Sequence, residues 1–124
     1  MKGREILVDT NIIIYLLQGN DTLENALQGK ELYVSFMTQL ELFGLYSAPD
    51  GYEKKVENLL NDCLIVPMDA NILQHYKILR KSHKLKLIDS LIAATALALD
   101  IPIVTADKQF NTIKHLKLIQ YERY

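Results

Sequence analysis

Short apolar runs punctuate this chain: "EILVD" at 5–9, "ELYVSF" at 31–36, "CLIV" at 63–66, "IPIVT" at 101–105 and "LKLIQ" at 116–120. Runs of this kind suit strands of a sheet that is buried on both faces. The stretches between them carry helical signals. "TNIIIYLLQG" reads as a helix ending near Gly19, and "NDTLENALQG" as a short one starting at Asp21 or Thr22 and ending at Gly29. "MTQLELFGLYSA" is expected to stay helical until Pro49 stops it. "DGYEKKVENLLND" puts Tyr52, Val56, Leu59 and Leu60 on one face, and "ANILQHYKILRKSH", capped by Asp69, does the same with Ile72, Tyr76 and Leu79. "LIDSLIAATALALD" is apolar nearly all round, which implies burial. Strands alternating with helices predict a three-layer α/β/α sandwich around a central, mainly parallel sheet of four or five strands. No linker, repeat or low-complexity stretch interrupts the pattern, so residues 1–124 read as a single domain.

Charge narrows the function. Lys and Arg number 14 against 15 Asp and Glu, leaving a net charge of −1. Composition therefore makes no case for nucleic-acid binding, and any basic surface has to be local. Cys63 is the only cysteine, which excludes an internal disulfide and fits a reducing compartment. The N-terminal stretch does not read as a signal peptide, because Asp9 and Asn11 break it. The apolar run "LIAATALAL" falls far short of the roughly 20 residues a membrane span needs. A cytoplasmic protein is expected.

Certain carboxylates sit where the pattern predicts burial. In "ILVDTNIIIYLL", Asp9 separates two apolar runs, and an unpaired buried charge has to neutralise, find a partner or bind a metal. Ligands of open α/β sheets bind beyond the carboxyl ends of the strands. Asp9 ends the first strand and Asp107, in "IVTADKQF", follows the fourth by two residues. Each also suits a helix cap, although Thr10 offers an alternative cap beside Asp9. Glu41 faces Met37, Gly44, Leu45 and Ala48 if its helix runs on, a small apolar surface with Gly44 leaving room for close approach. Asp89 lies in the first turn of the most apolar helix, where the dipole also favours an acid. By contrast, Glu53, Glu57 and Glu122 have polar neighbours. Asp9, Glu41, Asp89 and Asp107 would repel one another if clustered, and a divalent cation removes that penalty. All-oxygen ligands suit Mg2+ or Mn2+. Such a site supports phosphodiester hydrolysis.

"LVDTNIIIYLL", "TQLELFG", "LKLIDSLIAATAL" and "IVTADKQF" together resemble the four acidic motifs of the PIN-domain nucleases, and most of all the VapC toxins of bacterial type II toxin–antitoxin pairs. The resemblance covers essentially the whole chain in order. It implies a PIN-like fold and a Mg2+-dependent or Mn2+-dependent endoribonuclease leaving 5′-phosphate and 3′-hydroxyl ends. Asp9, Glu41, Asp89 and Asp107 match the acidic positions, Thr105 the small hydroxyl residue before the last acid, and Asn11 part of the first motif. It also implies an RNA substrate, a cognate antitoxin and a homodimer. Relatives often carry another acid directly before the phenylalanine of the last motif, where this chain has Gln109. The segment "HKLKL" before Asp89 lacks Gly and Pro.

Residues 75–88 hold Lys77, Arg80, Lys81, Lys84 and Lys86 with no acid among them, a candidate RNA-binding surface. His75, His83 and His115 lack metal-ligand spacing and are expected at the surface. Cys63 has no activating neighbour. No glycine-rich phosphate loop occurs. Tyr121 and Tyr124 are expected to pack into the core. A phosphoacceptor receiver domain is excluded because Asp9 stands alone and strand three ends "IVPMD". A structure-specific DNA nuclease needs further acids and an insertion for which the chain has no room. The remaining alternative is a catalytically silent PIN-like module that binds RNA or protein.

Overall fold

A computed structural model of the chain describes residues 3–122. Five strands, β1 (Glu5–Val8), β2 (Glu31–Ser35), β3 (Leu64–Val66), β4 (Ile103–Thr105) and β5 (Leu118–Gln120), form one sheet in the order β3-β2-β1-β4-β5. Every neighbouring pair is parallel. The strands are shorter than the apolar runs that announce them. Proline explains part of this: Pro102 has no N–H to donate, and it enters the sheet region only through its carbonyl, which accepts from Leu7 N at 2.8 Å.

Side-chain alternation along the strands builds a core on each face of the sheet. Leu7 and Ile103 point to one side, where Ile72 and Leu79 of α5 (Ala70–Ser82), Ile92, Ala93, Ala94 and Ala96 of α6 (Leu87–Leu99) and Phe110 of a 3-10 helix (Lys108–Thr112) meet them. Ile6, Val8, Val34 and Val104 point to the other. They pack on Ile12 and Ile13 of α1 (Thr10–Leu17), Leu23 of α2 (Asp21–Ala26), Leu42 of α3 (Phe36–Phe43) and Val56 and Leu60 of α4 (Tyr52–Asn61). The expected three-layer sandwich is thus formed, with all five strands parallel. Helix α6 is buried from Ser90 to Ala96 because α5, α3 and β2 all pack on it.

Local departures have local causes. Helix α2 is capped by Asn20, not by Asp21 or Thr22: Asn20 Oδ1 accepts from Leu23 N at 2.9 Å while its Nδ2 donates to Tyr121 Oη at 2.8 Å. Only an amide does both. Tyr121 also stacks at a tilt on Tyr15, and Tyr124 lies outside the described residues. Helix α3 ends at Phe43 instead of reaching Pro49, since Gly44 is a poor helix former and becomes its C-cap. Asp69 caps α5 as expected, accepting from Ile72 N at 2.8 Å.

The connection order positions the site. From β1 the chain steps to β2 and then β3, and α5 and α6 return it to β4 on the opposite side of β1. Connections therefore leave β1 and β4 in opposite directions, and the switch point opens at the carboxyl ends of those two strands.

Candidate active site

Asp9, Glu41, Asp89 and Asp107 line one cavity of about 200 Å3 at this edge, together with Thr10, Asn11, Ile14, Leu42, Leu45 and Ile92. Four elements deliver the acids: the end of β1, α3, the first turn of α6 and the residues after β4. No lysine, arginine or histidine is among the lining residues.

Asp9 is 5% exposed and caps α1 itself, so Thr10 does not take that role. Its Oδ1 accepts from Ile12 N at 3.0 Å and its Oδ2 accepts from the buried Thr105 hydroxyl. Each carboxylate oxygen has a second lone pair left over. Thr105 Oγ1 in turn accepts from Asp107 N at 3.0 Å, so one hydroxyl links the acids after β1 and β4. Burial pushes the Asp9 carboxyl above the ordinary range. The bonds from Thr105 and Ile12 pull it down, and repulsion from Asp107 and Asp89 adds to the rise.

Glu41 is half-buried on α3. Because the helix stops at Phe43, Ala48 is not on its face; Gly44 is exposed, with only α3's own Leu40 and Glu41 carbonyls near the place a Cβ would occupy. The expected close approach by another element is therefore absent at Gly44. Glu41 is met instead by α1, whose Thr10 hydroxyl donates to its Oε1. Thr10 thus serves Glu41 and is not a spare cap, and Thr38, which no sequence motif singles out, lies 3.1 Å from Thr10 Oγ1. The signal was helical spacing, for Thr38 precedes Glu41 by three residues on α3.

Asp89 is half-buried, and burial raises its carboxyl pKa first, then repulsion from Asp107 and Glu41; Lys86 offsets part of the rise. Within the basic segment, Lys77, Arg80, Lys81, Lys84 and Lys86 are all exposed. Arg80 is engaged: its guanidinium donates to the Leu85 carbonyl, bracing the "HKLKL" loop that lacks Gly and Pro. Asp107 Oδ1 accepts from Gln109 N at 2.9 Å, capping the 3-10 helix, and the Gln109 side chain is exposed and off the cavity wall.

Other titratable groups lie elsewhere. His75 and His83 are half-buried rather than fully at the surface, and with His115 they line a separate cavity beside α5. Burial and Asp62 push the Cys63 thiol up to about 11, leaving it unactivated.

The donor set suits a hard divalent cation, since every candidate ligand is a carboxylate oxygen and no basic side chain lines the cavity. The acids share the wall without meeting: among the described residues no three acidic, histidine or cysteine side chains stand close enough to hold one ion as placed.

Among curated protein sequences none matches the chain. Solved structures do. A chain of a toxin–antitoxin complex from Klebsiella pneumoniae is 28% identical with a TM-score of 0.81, over 95% of this chain and 99% of that one. A chain of VapBC-1 from nontypeable Haemophilus influenzae is 28% identical with a TM-score of 0.72, over 94% and 97%. A chain of VapBC2 from Rickettsia felis, bound to a promoter DNA fragment, shares the fold at 23% identity and a TM-score of 0.85, over 95% and 99%. The sequence profile of the PIN domain matches residues 6–116, and the chain belongs to the PIN-domain family as a VapC-like member.

Proposed function

We propose that this protein is a divalent-metal-dependent endoribonuclease and the toxin of a type II toxin–antitoxin pair. The observation that carries this reading is the cavity at the switch point, which four acids from separate elements line with no basic residue in its wall. Family membership supports nuclease chemistry, and the toxin–antitoxin complexes among its structural neighbours support the pairing.

Asp9 and Asp89 would hold Mg2+ or Mn2+ most directly, with Glu41 and Asp107 acting through water or at a second ion. A bound cation supplies Lewis-acid activation of water and neutralises charge developing on the phosphate. The chain's own residues supply placement. Thr105 and Ile12 N fix both oxygens of Asp9, Thr10 fixes one oxygen of Glu41, and Asn11 stands on the wall where it can orient a water or an acid. Lys77, Arg80, Lys81, Lys84 and Lys86 would contact RNA phosphates, Arg80 with the guanidinium N–H groups that its bond to Leu85 leaves over. Phe36, Leu40 and Phe43 expose 38%, 50% and 39% of their surface along one side of α3, an apolar strip suited to the antitoxin or a second copy.

Purified protein incubated with a total-RNA pool tests the proposal, with Mg2+ or Mn2+, an EDTA control and Asp9→Asn. Asparagine still caps α1, so the variant is expected to fold. Discrete fragments from metal-loaded wild type alone are the expected result. Cleavage that persists in Asp9→Asn or in EDTA would contradict it. Absence of both cleavage and metal binding would favour the silent RNA- or protein-binding module.

A further inference from the structure

Thr38 is fully buried, does not line the cavity, and has no place in the chemistry described so far. Its Oγ1 lies 3.1 Å from Thr10 Oγ1, and Thr10 also contacts Glu41 Oε1. A hydroxyl carries one proton. The carboxylate is the stronger acceptor, so the Thr10 proton goes to Glu41. The Thr10–Thr38 contact is then a hydrogen bond only if Thr38 donates to Thr10. That gives the chain a direction, Thr38 to Thr10 to Glu41, in which each bond polarises the next.

We propose that Thr38 and Thr10 form a two-hydroxyl relay that orients the Glu41 carboxylate toward the cavity, which makes the buried Thr38 a positioning residue. The inference rests on the metal-site reading above. The relay ties α1 to α3 and fixes Oε1 of Glu41, leaving Oε2 for a cation or its water. It parallels the arrangement at Asp9, where Thr105 holds one oxygen in the same way.

Thr38→Val tests the relay, because valine keeps the branched shape and removes the hydroxyl, while Thr38→Ser restores it. The first arm needs no metal. In the metal-free protein, NMR should detect a slowly exchanging Thr10 hydroxyl proton that shifts upfield and exchanges faster in Thr38→Val. An unchanged Thr10 signal would overturn the relay. The second arm measures Mn2+ affinity. Thr38→Val should lose roughly tenfold, the scale of outer-shell partners in metal sites, with Thr38→Ser staying within about twofold of wild type by the same measure. Wild-type affinity in Thr38→Val, beside a loss in Glu41→Gln, would overturn the proposal; so would a Thr38→Ser as weak as Thr38→Val. If Glu41→Gln itself binds Mn2+ like wild type, the metal role of Glu41 fails, and the hydroxyl signal alone decides the relay.

Discussion

Replacing Thr105 with valine removes the hydroxyl that joins Asp9 to Asp107. Thr105 is completely buried, so the isosteric change leaves packing intact and isolates the polar loss. Two bonds disappear: the one donated to the Asp9 carboxylate and the one accepted from Asp107 N. A hydrogen bond to a charged group contributes about 1.5–3 kcal/mol and a neutral one about 1 kcal/mol. Asp9 recovers part of this by taking up a proton, because losing a donor to the ionised form raises its pKa further. The net loss should be about 2–3 kcal/mol. For a domain of this size that corresponds to a fall in Tm of about 8–12 °C. Thr105→Ser keeps both bonds and loses one methyl, at about 1 kcal/mol. Thermal unfolding at neutral pH in EDTA, followed by circular dichroism, separates the two variants. If Thr105→Val unfolds no earlier than Thr105→Ser, the hydroxyl does not hold Asp9 and the reasoning fails.

Burial and repulsion raise the carboxyl pKa values of Asp9 and Asp89 in the folded protein, so the native state binds those protons more tightly than the unfolded chain. Their contribution to metal-free stability is intact below the unfolded value of about 4 and is lost as pH rises through the raised folded values. The stability of Asp89→Asn minus that of wild type should therefore rise between pH 4 and 8 in urea titrations with EDTA; a difference that stays flat or falls over that range would refute the raised pKa of Asp89. Saturating Mg2+ should stabilise wild type by about 2.7 kcal/mol at a hundredfold excess over Kd, and Asp9→Asn much less. Equal stabilisation of both would move the ion away from Asp9. Among the described residues the buried Ser90 hydroxyl, in the first turn of α6, has no partner, so Ser90→Ala should raise stability by about 1 kcal/mol. A loss in urea unfolding would reveal a bond that the hydroxyl makes.

The strands were readable because a sheet covered on both faces writes itself as uninterrupted apolar runs, and the site's location followed from the strand-end rule once the runs were placed. Capping and cavity roles looked like rivals at Asp9 and Asp107. They are compatible, because a carboxylate has two oxygens and one suffices for the helix. Helix ends were harder: Asn20 caps α2 because of Tyr121, far along the chain, and no local pattern reports such a partner. Helical spacing places Thr38 on the Glu41 face of α3, but what the hydroxyls of Thr10 and Thr38 do comes only from α1 packing on α3. The bond from Arg80 to the Leu85 carbonyl is likewise a tertiary detail of the loop that a run of basic residues does not report.

The central claim is that a divalent cation sits among Asp9, Glu41, Asp89 and Asp107. Crystals grown without metal and soaked in MnCl2 test it directly, by anomalous diffraction at the manganese edge. The account predicts a peak inside this cavity within bonding distance of Asp9 and Asp89, absent from crystals of Asp9→Asn. A cavity without manganese at saturating soak, or the same peak in Asp9→Asn, would contradict it.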